Sequence, residues 1–223
     1  MMKKVGCSLC GQIAGDPRSD LIAHFLPGTP YIRRVILDTS AFAAVPSLGP
    51  LTYGHLLLCP RAHLRSAAAL PEAAHAEYEA VKAALIQRLT MTYDASVHIF
   101  EHGMAASGER TVCTVDHAHV HLVPLPQRLD ALDLTGPEWL EFDGGLDTLA
   151  ALTCGREYVM YAPPRGRPRL CVGIAGQFES QYMRRVIASA LGSPAWDWRT
   201  VPDAESAHRT WQRCVGIQAV PLA

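Results

Sequence analysis

The sequence predicts an α+β domain, in which an antiparallel sheet carries a helix packed on one face. Three observations support this class: a row of alternating histidines, several short apolar runs bounded by glycine or proline, and one long amphipathic segment. Apolar residues make up 49% of the 223 residues and charged residues 18%, which is typical of globular proteins. The formal net charge of −1 excludes a global electrostatic attraction to nucleic acid or membrane.

The alternating row is His117-Ala118-His119-Val120-His121, inside a stretch that runs from 116 to 124. Residues two apart on a strand share a face, so the three imidazoles are expected on one face and the apolar residues on the other. Imidazole is a nucleophile, a general acid or base, and a metal ligand. The row therefore predicts phosphoryl chemistry, metal binding or both.

The N-terminal sequence Cys7-Ser8-Leu9-Cys10-Gly11 is a CxxC motif. Such a turn aims two thiolates at one point, as a tetrahedral zinc site requires. A redox role would need a following thioredoxin-like βαβ unit, which the sequence does not suggest. Two unrelated thiols are the third interpretation.

Periodicity and breakers place the remaining elements of the first part. Tyr78, Val81, Leu85 and Leu89 recur at three- and four-residue steps, which predicts a helix from Pro71 to about Thr92. The predicted strands are 31–37, 42–46, 54–60, 94–101 and 116–124.

The part of the chain beyond about residue 130 is predicted to add two strands and a helix. The strands are 157–161 and 169–174, joined by a hairpin-like loop, and a short helix at 145–151 precedes them. A second helix is expected at 180–191, with Arg184 and Arg185 on its solvated side, off the apolar face.

Together these motifs resemble the histidine triad (HIT) superfamily. Its signature matches 117–123, and its Gly-His strand followed by Pro-basic-x-His matches the stretch from Gly54 to His63. The CxxC motif is a third match in the right order. The resemblance covers 1–130 as a HIT domain with an N-terminal zinc knuckle, and leaves 131–223 as a C-terminal α/β extension of unknown role. It implies a HIT-like antiparallel sheet.

The resemblance implies an enzyme, a nucleotide hydrolase that acts at an α-phosphate through a nucleotidyl-histidine. His119 would be the nucleophile, and His117 and His121 would assist as catalytic residues. The implied substrate contacts are His55, Thr114, His102 and Glu101. An anionic Glu101 would repel phosphate, so it is expected either to point away or to bind a hydroxyl or ammonium group.

The resemblance also implies a structural zinc ion held by Cys7, Cys10, His63 and His117. Family members are commonly homodimers, so a homodimer with a nucleotide substrate is expected, with no membrane or stable nucleic-acid partner. The N-terminus lacks the apolar core of a signal peptide, and no apolar run approaches the length of a bilayer span, so a cytoplasmic protein is expected. Two alternatives stay open, a nucleotidyltransferase or phosphorylase that uses another acceptor, and a non-catalytic nucleotide-binding module.

Overall fold

The fold is an α+β architecture built on one antiparallel sheet, as the sequence predicts. A computed structural model describes residues 6–106, 115–129, 132–136, 138–173 and 179–216. The eight strands are β1 (Leu37–Asp38), β2 (Phe42–Pro46), β3 (Leu56–Pro60), β4 (Ser96–Gly103), β5 (Val120–Leu125), β6 (Leu140–Glu141), β7 (Tyr158–Ala162) and β8 (Arg169–Val172). They are ordered β1-β2-β3-β5-β4-β7-β8-β6, and every neighbouring pair is antiparallel.

Six α-helices lie in the described ranges, and short 3₁₀ turns accompany them. The helices are α1 (Ser8–Ala14), α2 (Leu21–Phe25), α3 (His75–Tyr93), α4 (Leu146–Thr153), α5 (Tyr182–Ala190) and α6 (Ala204–Cys214). None of them combines the length and hydropathy that a bilayer span requires.

Helix α3 covers one face of the sheet through the stripe that the sequence predicts. Tyr78, Val81, Leu85 and Leu89 are all buried, and they pack with apolar side chains of β3, β4 and β5. Full burial of a leucine of this kind stabilises the fold by about 1.5–3 kcal/mol. The helix ends at Asp94, whose backbone is left-handed with φ of 47°.

The opposite face of the sheet carries the histidines and is covered at both ends. Leu9 and Ile13 of α1 pack against Ala43, Val45 and Cys59 of β2 and β3. Met183 and Ile187 of α5 pack against side chains of β4, β5, β7 and β8. The strand predicted at 116–124 begins later in the structure: β5 starts at Val120, so His117 and His119 precede it and His121 lies within it.

Residues 131–223 continue the sheet of the first part through the pairing of β7 with β4, in which Glu101 lies opposite Met160. Helix α6 returns to the first part, where the backbone N–H of Gly54 donates to Thr210 Oγ1 at 3.1 Å. One sheet thus contains strands from both sides of residue 130. The boundary at residue 130 stays a prediction, which rests on where the HIT motifs end.

The predicted strand at 31–37 is wrong over most of its length, and only Leu37 belongs to β1. The Ile36 N–H donates to the Ala44 carbonyl of β2 at 2.8 Å, while other polar groups of this stretch contact the N-terminal segment. Arg33 donates to the Ile13 carbonyl at 2.8 Å, and the Ile32 N–H donates to Asp20 at 3.0 Å. The buried Arg34 side chain pairs with Asp20.

Glu101 lies on the α3 side of β4 and not among the histidines, which corrects its expected role as a substrate contact. It is 1% exposed, and its carboxyl group accepts hydrogen bonds from the Ala67 N–H at 2.8 Å and from the Tyr158 hydroxyl. Burial raises its pKa from 4.5 to about 7, against the opposing effect of the two hydrogen bonds.

We expect Glu101→Gln to change how stability depends on pH. Because the folded pKa lies above the unfolded value, the stability that protonated Glu101 contributes is complete below about pH 4.5 and is lost as pH rises through 7. The variant cannot ionise, so its free energy of unfolding relative to wild type should rise between pH 4.5 and 8, by on the order of 3 kcal/mol. Urea unfolding across this range measures the difference.

Glu141→Gln is the matched control, since Glu141 is exposed on the edge strand β6. Its stability should follow wild type at every pH. A constant difference between Glu101→Gln and wild type across the range would show that Glu101 is already ionised at pH 5.

Candidate functional site

Four side chains that the sequence assigns to a metal site meet beside the start of β5. Cys7, Cys10, His63 and His117 each offer one ligand atom, and these atoms lie within 4.8 Å of one another. Cys10 Sγ lies 3.4 Å from His63 Nδ1 and 3.3 Å from His117 Nδ1, and Cys7 Sγ lies 3.5 Å from His117 Nδ1. The cluster can hold a metal ion.

Local structure explains how the two thiols converge. Cys7 is the N-cap of α1, and its Sγ accepts from the Cys10 N–H at 3.4 Å, which closes the turn. The His117 ring is oriented from behind, because its Nε2 donates to the Pro60 carbonyl at 2.8 Å. That bond places the proton on Nε2 and leaves Nδ1 as the ligand atom.

His119 is held in one tautomer by the backbone. Its Nδ1 lies 2.7 Å from the carbonyl oxygen of His117, so Nδ1–H donates and Nε2 keeps its lone pair. Burial lowers the pKa of His119, the bond to His117 opposes this, and electrostatic interactions with His102 and Arg184 lower the pKa further. The ring is therefore neutral near pH 7 and can act as a nucleophile at Nε2.

His121 is held by a second chain of hydrogen bonds. The Leu51 N–H donates to His55 Nδ1 at 3.1 Å, so neutral His55 carries its proton on Nε2. That proton is donated to His121 Nδ1 at 2.9 Å, which leaves the His121 proton on Nε2. Burial lowers the pKa of both rings well below 6.5, so the neutral forms apply. Phe100 stacks on His121 with ring centroids 4.1 Å apart.

Two cavities meet at these histidines. The first, the apolar chamber, has about 620 Å³ of empty space, counting space open to solvent, and the second chamber has about 490 Å³. Five residues line both: Val115, His119, His121, Arg184 and Trp198. The apolar chamber adds Leu9 and Ile22 of the N-terminal helices, Leu57 of β3, and Leu48 of the loop after β2.

The second chamber is lined partly by β4 and β7 and partly by the segment around α5. Its additional residues include Phe100, His102, Val159, Gln181, Tyr182 and Met183. His102 Nε2 lies 2.6 Å from a carboxylate oxygen of Glu157, which is 2% exposed. A buried carboxylate therefore orients the imidazole that faces this chamber.

The predicted substrate contacts fall into three groups. His102 lines the second chamber, and its contact with substrate stays a prediction. His55 lines neither chamber and is fully buried behind His121, so its direct contact with substrate is corrected to a contact with that ring. Thr114 lies outside the described residues.

Sequence reasoning missed Arg184, which it placed on a solvated helix face. The side chain is 4% exposed and lies between the two chambers. The buried face of α5 consists of Met183, Arg184, Ile187 and Ala188, so the expected apolar face was rotated. Met183 and Ile187 are one helical turn apart, and this spacing in the sequence could have indicated the buried face.

Comparisons with known proteins agree with the motifs. Residues 33–134 match the family model described as "Protein similar to CwfJ C-terminal", which is under half of the chain. No curated protein matches the sequence.

Several solved structures are similar to the chain at low identity. A Zn-bound histidine triad family protein from Mycobacterium smegmatis is 23% identical, with 60% of this chain and 84% of that chain covered and a TM-score of 0.37. A hypothetical histidine triad nucleotide-binding protein from Sulfolobus tokodaii is 21% identical, with coverages of 54% and 70% and a TM-score of 0.38. A HIT family protein from Bacillus anthracis is 17% identical, with coverages of 61% and 84% and a TM-score of 0.44. The chain has the α+β fold with an antiparallel sheet that its sequence predicts. Its residues 33–134 match the family model for proteins similar to the CwfJ C-terminal region, and histidine triad proteins are among the solved structures similar to it.

Proposed function

We propose that this protein is a nucleotide hydrolase that acts at an α-phosphate through a nucleotidyl-His119 intermediate and releases a nucleoside monophosphate. One observation carries the proposal: a neutral imidazole, fixed in a single tautomer by the His117 carbonyl, lines both chambers with its Nε2 lone pair available. Substrates of this class include dinucleoside polyphosphates and nucleoside phosphoramidates.

The reaction follows from the positions of the groups. His119 Nε2 attacks the α-phosphorus, a P–N bond forms, and the bond to the leaving group breaks with its electron pair on the leaving atom. His121, whose Nε2 carries the proton and whose ring lies 4.9 Å from that of His119, donates a hydrogen bond to the phosphoryl or leaving-group oxygen. Water then attacks phosphorus, the P–N bond breaks, and neutral His119 is restored.

The apolar chamber suits the nucleoside. Leu9, Ile22 and Leu57 give it a hydrophobic lining against which a base and sugar can pack, and small-molecule sites are typically lined in this way. The leaving group then lies on the other side of His119, in the second chamber.

We expect His119→Asn to lower kcat by at least about 10³-fold, because the nucleophile is lost while the chambers keep their shape. Product release from a panel of nucleotide anhydrides and phosphoramidates measures this. Wild-type protein mixed with substrate and quenched in alkali should carry the mass of one nucleotidyl group, and His119→Asn should not.

His24→Asn is the matched control, since His24 is exposed on α2 and should retain wild-type turnover. Equal turnover by wild type and His119→Asn would contradict the nucleophile. Absence of turnover by wild type on the whole panel, with nucleotide binding intact, would favour a non-catalytic binding module.

A nucleotidyltransferase is the second candidate, and the second chamber favours it because an acceptor there lies beside the intermediate. It keeps the same nucleotidyl-histidine but passes it to phosphate or a sugar phosphate. Product analysis with and without those acceptors separates the two.

A homodimer is expected with either function, and light scattering of the purified protein measures its oligomeric state.

We propose that the metal is a structural zinc. Zinc bonds of about 2.3 Å to sulfur and 2.0–2.1 Å to nitrogen give tetrahedral S···N separations of about 3.6 Å. The observed separations of 3.3 to 3.5 Å match this donor set of two thiols and two imidazoles. Four protein ligands leave no open position, so zinc would fix His117 and not react.

Wild-type protein should contain about one zinc per chain, and Cys10→Ser should lower zinc affinity at least about 100-fold, since a direct ligand is lost. Metal analysis and thermal unfolding measure both consequences. Cys154→Ser is the control, because Cys154 is exposed and outside the cluster. Well-folded wild-type protein that binds no zinc when zinc is supplied would contradict this assignment.

A further inference from the structure

We propose that Arg184 binds a second phosphoryl group, next to the α-phosphate, and so selects nucleotides whose leaving group begins with a phosphate. This deepens the proposed function and rests on it. The residue belongs to α5, outside the region that carries the histidine motifs. The C-terminal segment would then determine which leaving group the enzyme accepts.

The first support is a buried charge that makes no direct ion pair within the described residues. Arg184 Nε donates to the Trp196 carbonyl and Nη2 donates to the Gly49 carbonyl, each at 2.7 Å. Both partners are neutral, and within the described ranges no carboxylate lies at salt-bridge distance from this guanidinium. Asp197 acts on Arg184 from a longer distance, and its carboxylate is bound by Gln181 and Arg199. A buried guanidinium is costly unless an anion pairs with it, so the arrangement suits an anionic ligand.

The second support is where the charge lies. Arg184 lines both chambers together with His119 and His121, and its charge acts on both rings. Two N–H groups of the side chain are used by carbonyls, which leaves donors of the fork for a ligand. A guanidinium matches phosphate geometry better than any other side chain.

The third support is that the guanidinium is held in place from two sides. A Cβ built on Gly49 would lie 2.4 Å from Trp198 Cβ and 3.4 Å from Arg184 Nη2. The absence of a side chain at Gly49 thus allows the loop after β2, Trp198 and the guanidinium to meet. Arg184 is therefore positioned before any ligand binds, which reduces the entropic cost of binding.

Charge then distinguishes two kinds of substrate. In a polyphosphate, the group that leaves carries a phosphate beside the α-phosphorus, and Arg184 can neutralise the charge that develops there. In a phosphoramidate with an uncharged amine, no second anion is present. Arg184 should thus contribute far more to the first reaction than to the second.

The test compares kcat/KM for a dinucleoside polyphosphate and a phosphoramidate with the same nucleoside. Arg184→Gln should lower kcat/KM for the polyphosphate by about 10²-fold and for the phosphoramidate by less than about threefold. Arg184→Lys, which keeps the charge but loses the fork, should fall between. Arg185→Gln is the matched control, because the neighbouring side chain contacts Glu179 and the Trp196 ring and lines neither chamber.

An equilibrium measurement separates this inference from the hydrolase itself. Inorganic pyrophosphate should bind wild type and Arg185→Gln equally, and Arg184→Gln at least tenfold more weakly, by calorimetry. If pyrophosphate binding depends on Arg184 but no substrate is turned over, the proposed hydrolase is refuted and the anion site at Arg184 is supported. The inference would be overturned if Arg184→Gln lowered kcat/KM equally for both substrates. It would also be overturned if Arg184→Gln bound pyrophosphate as tightly as wild type. Thermal unfolding of each variant checks that it is folded.

Discussion

His117 connects the candidate metal site to His119, and the candidate functional site depends on that connection. Its ring points Nδ1 at the two thiols, while its backbone carbonyl accepts the Nδ1 proton of His119. A metal ion that holds the ring would restrict the motion of His117, whose carbonyl fixes the tautomer of His119. A metal ion in the cluster would thus be linked to His119 through one residue, without contacting it.

Sequence alone predicted the parts of the fold that depend on local pattern. The α3 stripe and the bounds of β2 agree with the structure, because apolar periodicity and flanking prolines act over a few residues. The ligand set of Cys7, Cys10, His63 and His117 also meets in space, although this rested on resemblance. Spacing within the chain could not show that residues 110 positions apart, such as Cys7 and His117, lie 3.5 Å apart.

Where prediction failed, distant partners had determined the structure. The backbone before β1 leaves the strand conformation because Arg34 is drawn to Asp20, and its guanidinium also lies 5.8 Å from the Trp211 ring of α6. Arg184 reads as a surface residue in its own helix, and only the carbonyls of Gly49 and Trp196 make its burial possible. The partners of Arg34 and Arg184 lie outside the local stretch of each residue, so no local sequence pattern could identify these buried positions.

The alternation of β4 explains how an acidic residue can lie in the same strand as side chains of the proposed phosphate site. Phe100 and His102 face the histidines, whereas Glu101 faces α3, where Tyr158 and the Ala67 N–H satisfy it. The same strand pairs with β7, which brings Glu157 beside His102 and places the α5 segment over the second chamber. One strand pairing therefore positions both halves of the second chamber, whereas the orientation of His119 depends on the carbonyl of His117.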